Sequence, residues 1–349
     1  MEKVMSRKLI TISTIMTLMS TSIMADAPNV AVDIAPIHSL VSKVMDGVGE
    51  PKLVIQSGAS PHGYRLRPSE AKALQDANLI FWMGEELTPW LDGAIDTLAS
   101  NASVTSLLDQ EGVVLHEFRE GALFEAHDHS AHDDHDDHKD HDDHDDHDDH
   151  DDHDDHDDHE GHDDHDDHKD HDDHDDHGHS AHDPHAWLSP ENAKLWLNII
   201  ASKLSVADPE NAATYFTNAA AGQAEIEEMI SEVSATLKPV KGGKFVVFHD
   251  AYQYFENDFD FYASGAISLS DASDPSPARI AKIQKRIRDE GIQCVLAEPQ
   301  FKQGLVATVM EGSEATASVI DPLGADIKPG PKLYTQLIKN MAKTLRDCL

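Results

Sequence analysis

The chain is short of cysteine, of positive charge and of long apolar runs. Two of its 349 residues are cysteine, and 27 basic residues stand against 66 acidic ones. So few lysines and arginines leave no basic face for phosphate, which argues against nucleic acid as a partner. Beyond the first residues no apolar stretch approaches the ~18 residues that a membrane-crossing helix requires. What remains is an acidic, partly apolar chain, 39% hydrophobic, long enough for two domains.

The first 25 residues have the pattern of a signal peptide. Lys3, Arg7 and Lys8 supply the positive start, Leu9 to Met19 is mostly apolar, and Ser22-Ile-Met-Ala25 offers small residues for cleavage after Ala25. No cysteine lies near that point, so a freely diffusing exported protein is expected rather than a lipid-anchored one. In an oxidising compartment Cys294 and Cys348 most simply close one disulfide. Closing a loop of that length is worth ~4 kcal/mol in the chain-entropy view. A metal role for the pair is the weaker reading.

One tract accounts for most of the charge. From His127 to His182 the sequence is nearly all Asp-Asp-His, and it holds 20 of the 25 histidines. Its 28 acidic residues and two lysines give −26 of the chain's −39, leaving −13 for the rest. It has no Val, Ile, Leu, Met or aromatic residue. Ordering the backbone costs ~1–2 kcal/mol per residue, with nothing here to offset it. The tract is therefore expected to be disordered, and its composition makes it a collector of divalent metal.

Elsewhere, strands of about five residues alternate with helices, the pattern of parallel sheets in α/β domains. Strands are expected at 29–34, 52–56, 79–83 and 104–107, and again at 244–248, within 261–269, at 293–297 and at 317–320. Ser189-Pro190 and Asp208-Pro209 each place a capping residue before a proline, opening two helices. The second runs to about Leu237 and is ~40 Å long. The expected organisation is an N-terminal αβ lobe over 26–206 with 127–182 inserted, a linking helix over 207–238, and a C-terminal αβ lobe over 239–349.

Five histidines lie outside the tract: His38, His62, His116, His185 and His249. His62 follows the second strand, His185 precedes the helix at Pro190, and His249 ends the first strand of the second lobe. Asp321 follows the last strand in the same way. Ligands of open α/β sheets bind beyond the carboxyl ends of strands, and three imidazoles with a carboxylate would satisfy a four-coordinate Zn²⁺. Such residues also serve as caps or surface groups, so spacing alone leaves the choice open. His38 is read as a residue supporting the ligands from behind or starting a helix, and His116 as solvated. Glu298, after a strand, is either a hydrogen-bond partner at the site or a structural ion pair.

Five segments change the balance. Ala59-Ser-Pro-His62 with Leu66-Arg-Pro-Ser69, Asp183-Pro-His-Ala-Trp-Leu-Ser-Pro190, Phe248-His-Asp-Ala-Tyr252, Ala297-Glu-Pro-Gln-Phe301 and Asp321-Pro-Leu-Gly324 stand in this order. In this the chain resembles the periplasmic metal-binding proteins of ABC importers, particularly their zinc-uptake members, over the whole mature length. The resemblance implies two αβ lobes around a rigid helix, with metal in the interlobe cleft and a membrane permease as partner, the protein itself acting as a monomer. By position it implies His62, His185 and His249 as ligands and Asp321 as a possible fourth. Manganese-binding relatives carry glutamate where this chain has His249. A third imidazole favours zinc over Mn²⁺, which prefers oxygen. Some zinc relatives have an acidic residue before the first histidine; here Pro61 stands there, leaving Asp321 or water for the fourth position.

Two rival readings remain. Three histidines and a water also describe a zinc hydrolase, but the chain lacks His-Glu-x-x-His and an obvious general base beside the candidate ligands. Alternatively the tract is the function, as a metal buffer. The expectation is capture and delivery, with no enzymatic activity.

Overall fold

The protein is described by a computed structural model that covers residues 27–119, 124, 182–268, 275–300 and 303–349. The expected signal peptide, and the tract apart from His182, lie outside the described residues.

The first lobe alternates β1 (Val30–Val32), α1 (Ala35–Val44), β2 (Lys52–Leu53), α2 (Pro68–Gln75), β3 (Leu79–Trp82), α3 (Pro89–Leu98) and β4 (Ser103–Ser106). Its sheet is parallel throughout, in the order β2-β1-β3-β4. After the tract come α4 (Pro190–Ala207) and α5 (Ala212–Leu237), then β5 (Phe245–His249), α6 (Gln253–Phe259), β6 (Ala266–Ser268), α7 (Pro277–Glu290), β7 (Cys294–Ala297), α8 (Gln303–Met310), β8 (Thr316–Val319) and α9 (Leu333–Cys348). The second sheet is also parallel, ordered β6-β5-β7-β8. β3 and β5 are buried at every residue, as strands covered on both faces must be.

Four helices begin at the prolines that mark them, whereas the expected start at Asp208-Pro209 opens a 3-10 turn, Pro209–Asn211, ahead of α5. Proline is the first residue of α2, α3, α4 and α7, where its missing N–H costs nothing. Ser189 and Ser276 cap α4 and α7 by accepting from the amides of Asn192 and Arg279. α7 stops at Gly291, whose φ of 65° suits a residue without Cβ.

α5 is 26 residues long, ~39 Å. Tyr215, Ala219, Gly222, Ile226, Met229, Val233 and Leu237 form its buried face at three- and four-residue steps, packed on α4, α9 and α1. α9 follows the second sheet in sequence but crosses back to α1, where the Tyr334 amide donates to Ser39 Oγ at 3.0 Å. One apolar cluster accordingly runs from the first sheet through α4 and α5 to β5, β7 and α9. A smaller one lies beneath α7 and α8. The expected disulfide is present: Cys294 on β7 joins Cys348 at the end of α9, with Cα atoms 5.7 Å apart.

Two elements depart from expectation. β2 spans two residues rather than five, the chain turning away after Leu53. α6 was not foreseen: it has no opening proline and no side-chain cap, and its Tyr254, Phe255 and Glu256 are held by burial among long-range neighbours.

Candidate metal centre

His249 is the last residue of β5, so that strand delivers its ring to the carboxyl edge of the second sheet. His185 precedes a single 3-10 turn, Ala186–Leu188, whose Trp187 is fully buried and donates its indole N–H to Pro322 O at 2.8 Å. His62 lies in the turn after β2, beneath Trp90, whose indole N–H donates to Pro61 O at 2.7 Å. Three sequence-distant loops thus meet between the sheets. Their donor atoms lie within 4.8 Å of one another, and among the described residues this is the one such group of three or more His, Cys, Asp or Glu.

The two buried rings are oriented from behind. His185 Nδ1 is 2.6 Å from Asp183 Oδ1, and His249 Nδ1 is 2.6 Å from Glu298 Oε1. A carboxylate there holds the proton on Nδ1 and leaves Nε2 to face a metal. The two Nε2 atoms stand 3.4 Å apart. Nitrogens ~2.05 Å from a tetrahedral zinc are themselves about 3.4 Å apart, so this pair has the spacing of two ligands on one ion. His185 and His249 are 5% and 3% exposed, whereas His62 is half-buried. His62 therefore stands on the side nearest solvent.

The surrounding charge is unusual. Asp183, Asp250, Glu256 and Glu298 are all buried. Burial pushes the Asp183 carboxyl up to about 6, against the lowering effect of the His185 amide and Arg119. It raises Asp250 and Glu256 too, opposed by Arg119. Burial works against the Arg119 charge, but Asp250 and Glu256 together outweigh it and hold the guanidinium cationic. Beside His249, burial and the nearby Glu298 raise the Tyr252 hydroxyl well above its ordinary range.

The remaining candidates are placed as follows. Asp321 is not in the three-histidine group; its Oδ1 accepts from the amides of Leu323 and Gly324 at 2.9 Å each, and its Oδ2 from that of Ala325. Gly324 makes this turn possible, with φ 73°. His38 lies in α1 with Nε2 3.1 Å from Pro51 O, and burial lowers its pKa. His116, expected to be solvated, is half-buried against Tyr254, ring centroids 4.6 Å apart. Glu298 is the buried partner of His249 Nδ1, at 2.6 Å. Asp183 is not among the sequence candidates, although it stands two residues before His185; that short spacing is the available signal.

Fold and donor set together define a class: a two-lobed α/β binding protein whose gathered side chains suit a divalent metal. Comparison with known proteins narrows it. Residues 30–348 match the family described as ZnuA, zinc-uptake complex component A, periplasmic, and the chain belongs to that family. The high-affinity zinc uptake system protein ZnuA of Brucella abortus (strain 2308) is 48% identical over 329 residues, 94% of each chain. That of Paracoccus denitrificans (strain Pd 1222) is 44% identical over 326 residues, 93% of each. A crystal structure of a ZnuA superposes with a TM-score of 0.68 at 19% identity, covering 93% of this chain and 99% of the other, which speaks to the fold. The family is one of substrate-binding transport components rather than enzymes.

Proposed function

We propose that the protein captures Zn²⁺ in the periplasm at His62, His185 and His249 and delivers it to the membrane permease of an ABC-type importer. One observation carries this reading: two carboxylate-backed imidazoles present Nε2 atoms 3.4 Å apart, with a third histidine beside them. The names of the relatives, high-affinity zinc uptake proteins, support it. Water takes the fourth position in preference to Asp321, whose oxygens already serve three backbone amides. The exported protein works as a freely diffusing monomer, its signal peptide removed. The His/Asp tract is an accessory, low-affinity zinc collector beside the site.

The test is zinc titration against a competing chelator on protein lacking residues 133–177. One tightly held zinc per chain is expected to remain, and to vanish in His185→Ala and His249→Ala. Loss of the tight site along with the tract would make the tract the function. The weakly held ions of the intact protein should fall away below about pH 6, as free imidazoles with pKa near 6.5 take up protons.

A further inference from the structure

The two flanks of the tract meet at its base. Glu117 and His182 form an antiparallel bridge, and the Asp183 amide donates to His116 O at 2.8 Å. The Tyr254 hydroxyl, from α6 of the second lobe, accepts from the His116 amide at 3.1 Å and donates to Asp183 O at 2.7 Å. Two residues past the bridge, Arg119 reaches the same lobe. Its Nε donates to both oxygens of Asp250 at 3.0 and 3.1 Å, its Nη1 donates to Glu256 Oε2 at 2.6 Å, and its Nη2 donates to Asp250 as well. The Phe124 ring covers the guanidinium, 3.6 Å from Cζ to the centroid.

What this fork connects is specific. On one side, the segment that carries Arg119 is bridged through Glu117 and His182 to the segment carrying Asp183, which orients His185. On the other, Asp250 is the residue after His249. One guanidinium thus spans the seam between the two backbone segments that present the buried ligands. Its carboxylate partners are 5% and 1% exposed, so the contact is not a loose surface pair, and a planar five-donor fork suits two carboxylates as an ammonium does not.

We propose that Arg119 is a positioning residue for the metal centre, a clamp across the seam that fixes the spacing of His185 and His249 and thereby sets how long zinc stays bound. The proposal rests on the three-histidine reading of the site. It makes handover of the ion depend on opening the base of the tract: when the fork lets go of Asp250, the two ligand segments separate.

A merely electrostatic role would have the opposite consequence. Removing a positive charge beside a Zn²⁺ site strengthens attraction for the ion and slows its departure. A merely structural role would lower the melting temperature and leave the site's geometry alone.

The experiment uses the full chain loaded with zinc, with release into excess chelator followed by stopped flow. The visible absorption of the Co²⁺-loaded protein reports ligand geometry. Arg119→Met is expected to release zinc at least tenfold faster with an unchanged association rate and a shifted cobalt spectrum. Arg119→Lys should fall between it and the parent. Parental or slower release with the parental cobalt spectrum overturns the clamp, whatever the melting temperature. Should Arg119→Met not fold, Glu256→Gln loosens one arm of the fork, and faster or unchanged release decides the matter in the same way. His185→Ala run alongside separates the two claims. Zinc binding intact in that variant defeats the site reading and the clamp with it. Zinc binding lost there, with unchanged release in Arg119→Met, defeats the clamp alone.

Discussion

Asp183 and Glu298 never need to touch the metal to matter. Each accepts from one buried imidazole at 2.6 Å, and without it the ring is free to rotate or to protonate the wrong nitrogen. Asp183→Asn and Glu298→Gln keep the shape but offer a poorer acceptor. Each is expected to weaken zinc binding 10–100-fold with circular dichroism unchanged, as chelator competition would show; undiminished affinity would deny them this role. At this scale the sequence was uneven in what it disclosed. The three histidines announced themselves because each follows or precedes an element in a distinctive segment. Arg119 did not: its partners lie 131 and 137 residues further along, and nothing local ties a tract-flanking arginine to a strand end in the other lobe.

Among the elements, proline did most of the marking. It opens α2, α3, α4 and α7, and apolar runs between those helices gave the strands. α6 and the shortness of β2 were hidden because tertiary packing rather than local preference decides them. The helices also set a contrast between two glycines. In α3, a Cβ on Gly93 would meet nothing within 4 Å. In α5, one on Gly222 would lie 2.9 Å from Leu197 Cδ1 and 3.2 Å from Lys43 Cγ, and Leu197 is fully buried. Gly93→Ala should therefore stabilise by about 0.5–1 kcal/mol through helix propensity alone. Gly222→Ala gains the same propensity but forces α5 from α4, and should destabilise by about 1–3 kcal/mol. Urea unfolding of the two variants would give opposite signs; equal signs would mean that α4 and α5 pack less closely than described.

Across the whole molecule, the proposed ligands come from segments up to 187 residues apart in the chain, His62 to His249. Only the folded state can assemble them, so zinc bound there stabilises folding. At free zinc a hundredfold above the dissociation constant the gain is about 2.7 kcal/mol, several degrees in melting temperature for a chain of this size. Removing zinc with EDTA should reverse it. Ions held by the tract depend on local sequence and would bind the unfolded chain equally, so deleting residues 133–177 should leave the shift unchanged at the same free zinc. A shift that disappeared with the tract would place the stabilising ion there. The architecture behind this was legible early, as two parallel αβ units and a long helix; the return of α9 across α1, which merges their cores, was not. The bridge between Glu117 and His182 has a consequence for inheritance as well. A segment whose two flanks are tied together can change length cheaply, each doubling costing only about 0.6 kcal/mol in closure entropy. Its unit is a whole number of codons, so repeats can be gained or lost without shifting the reading frame. The count of Asp-Asp-His units is thus free to drift between lineages while the site at its foot stays under selection.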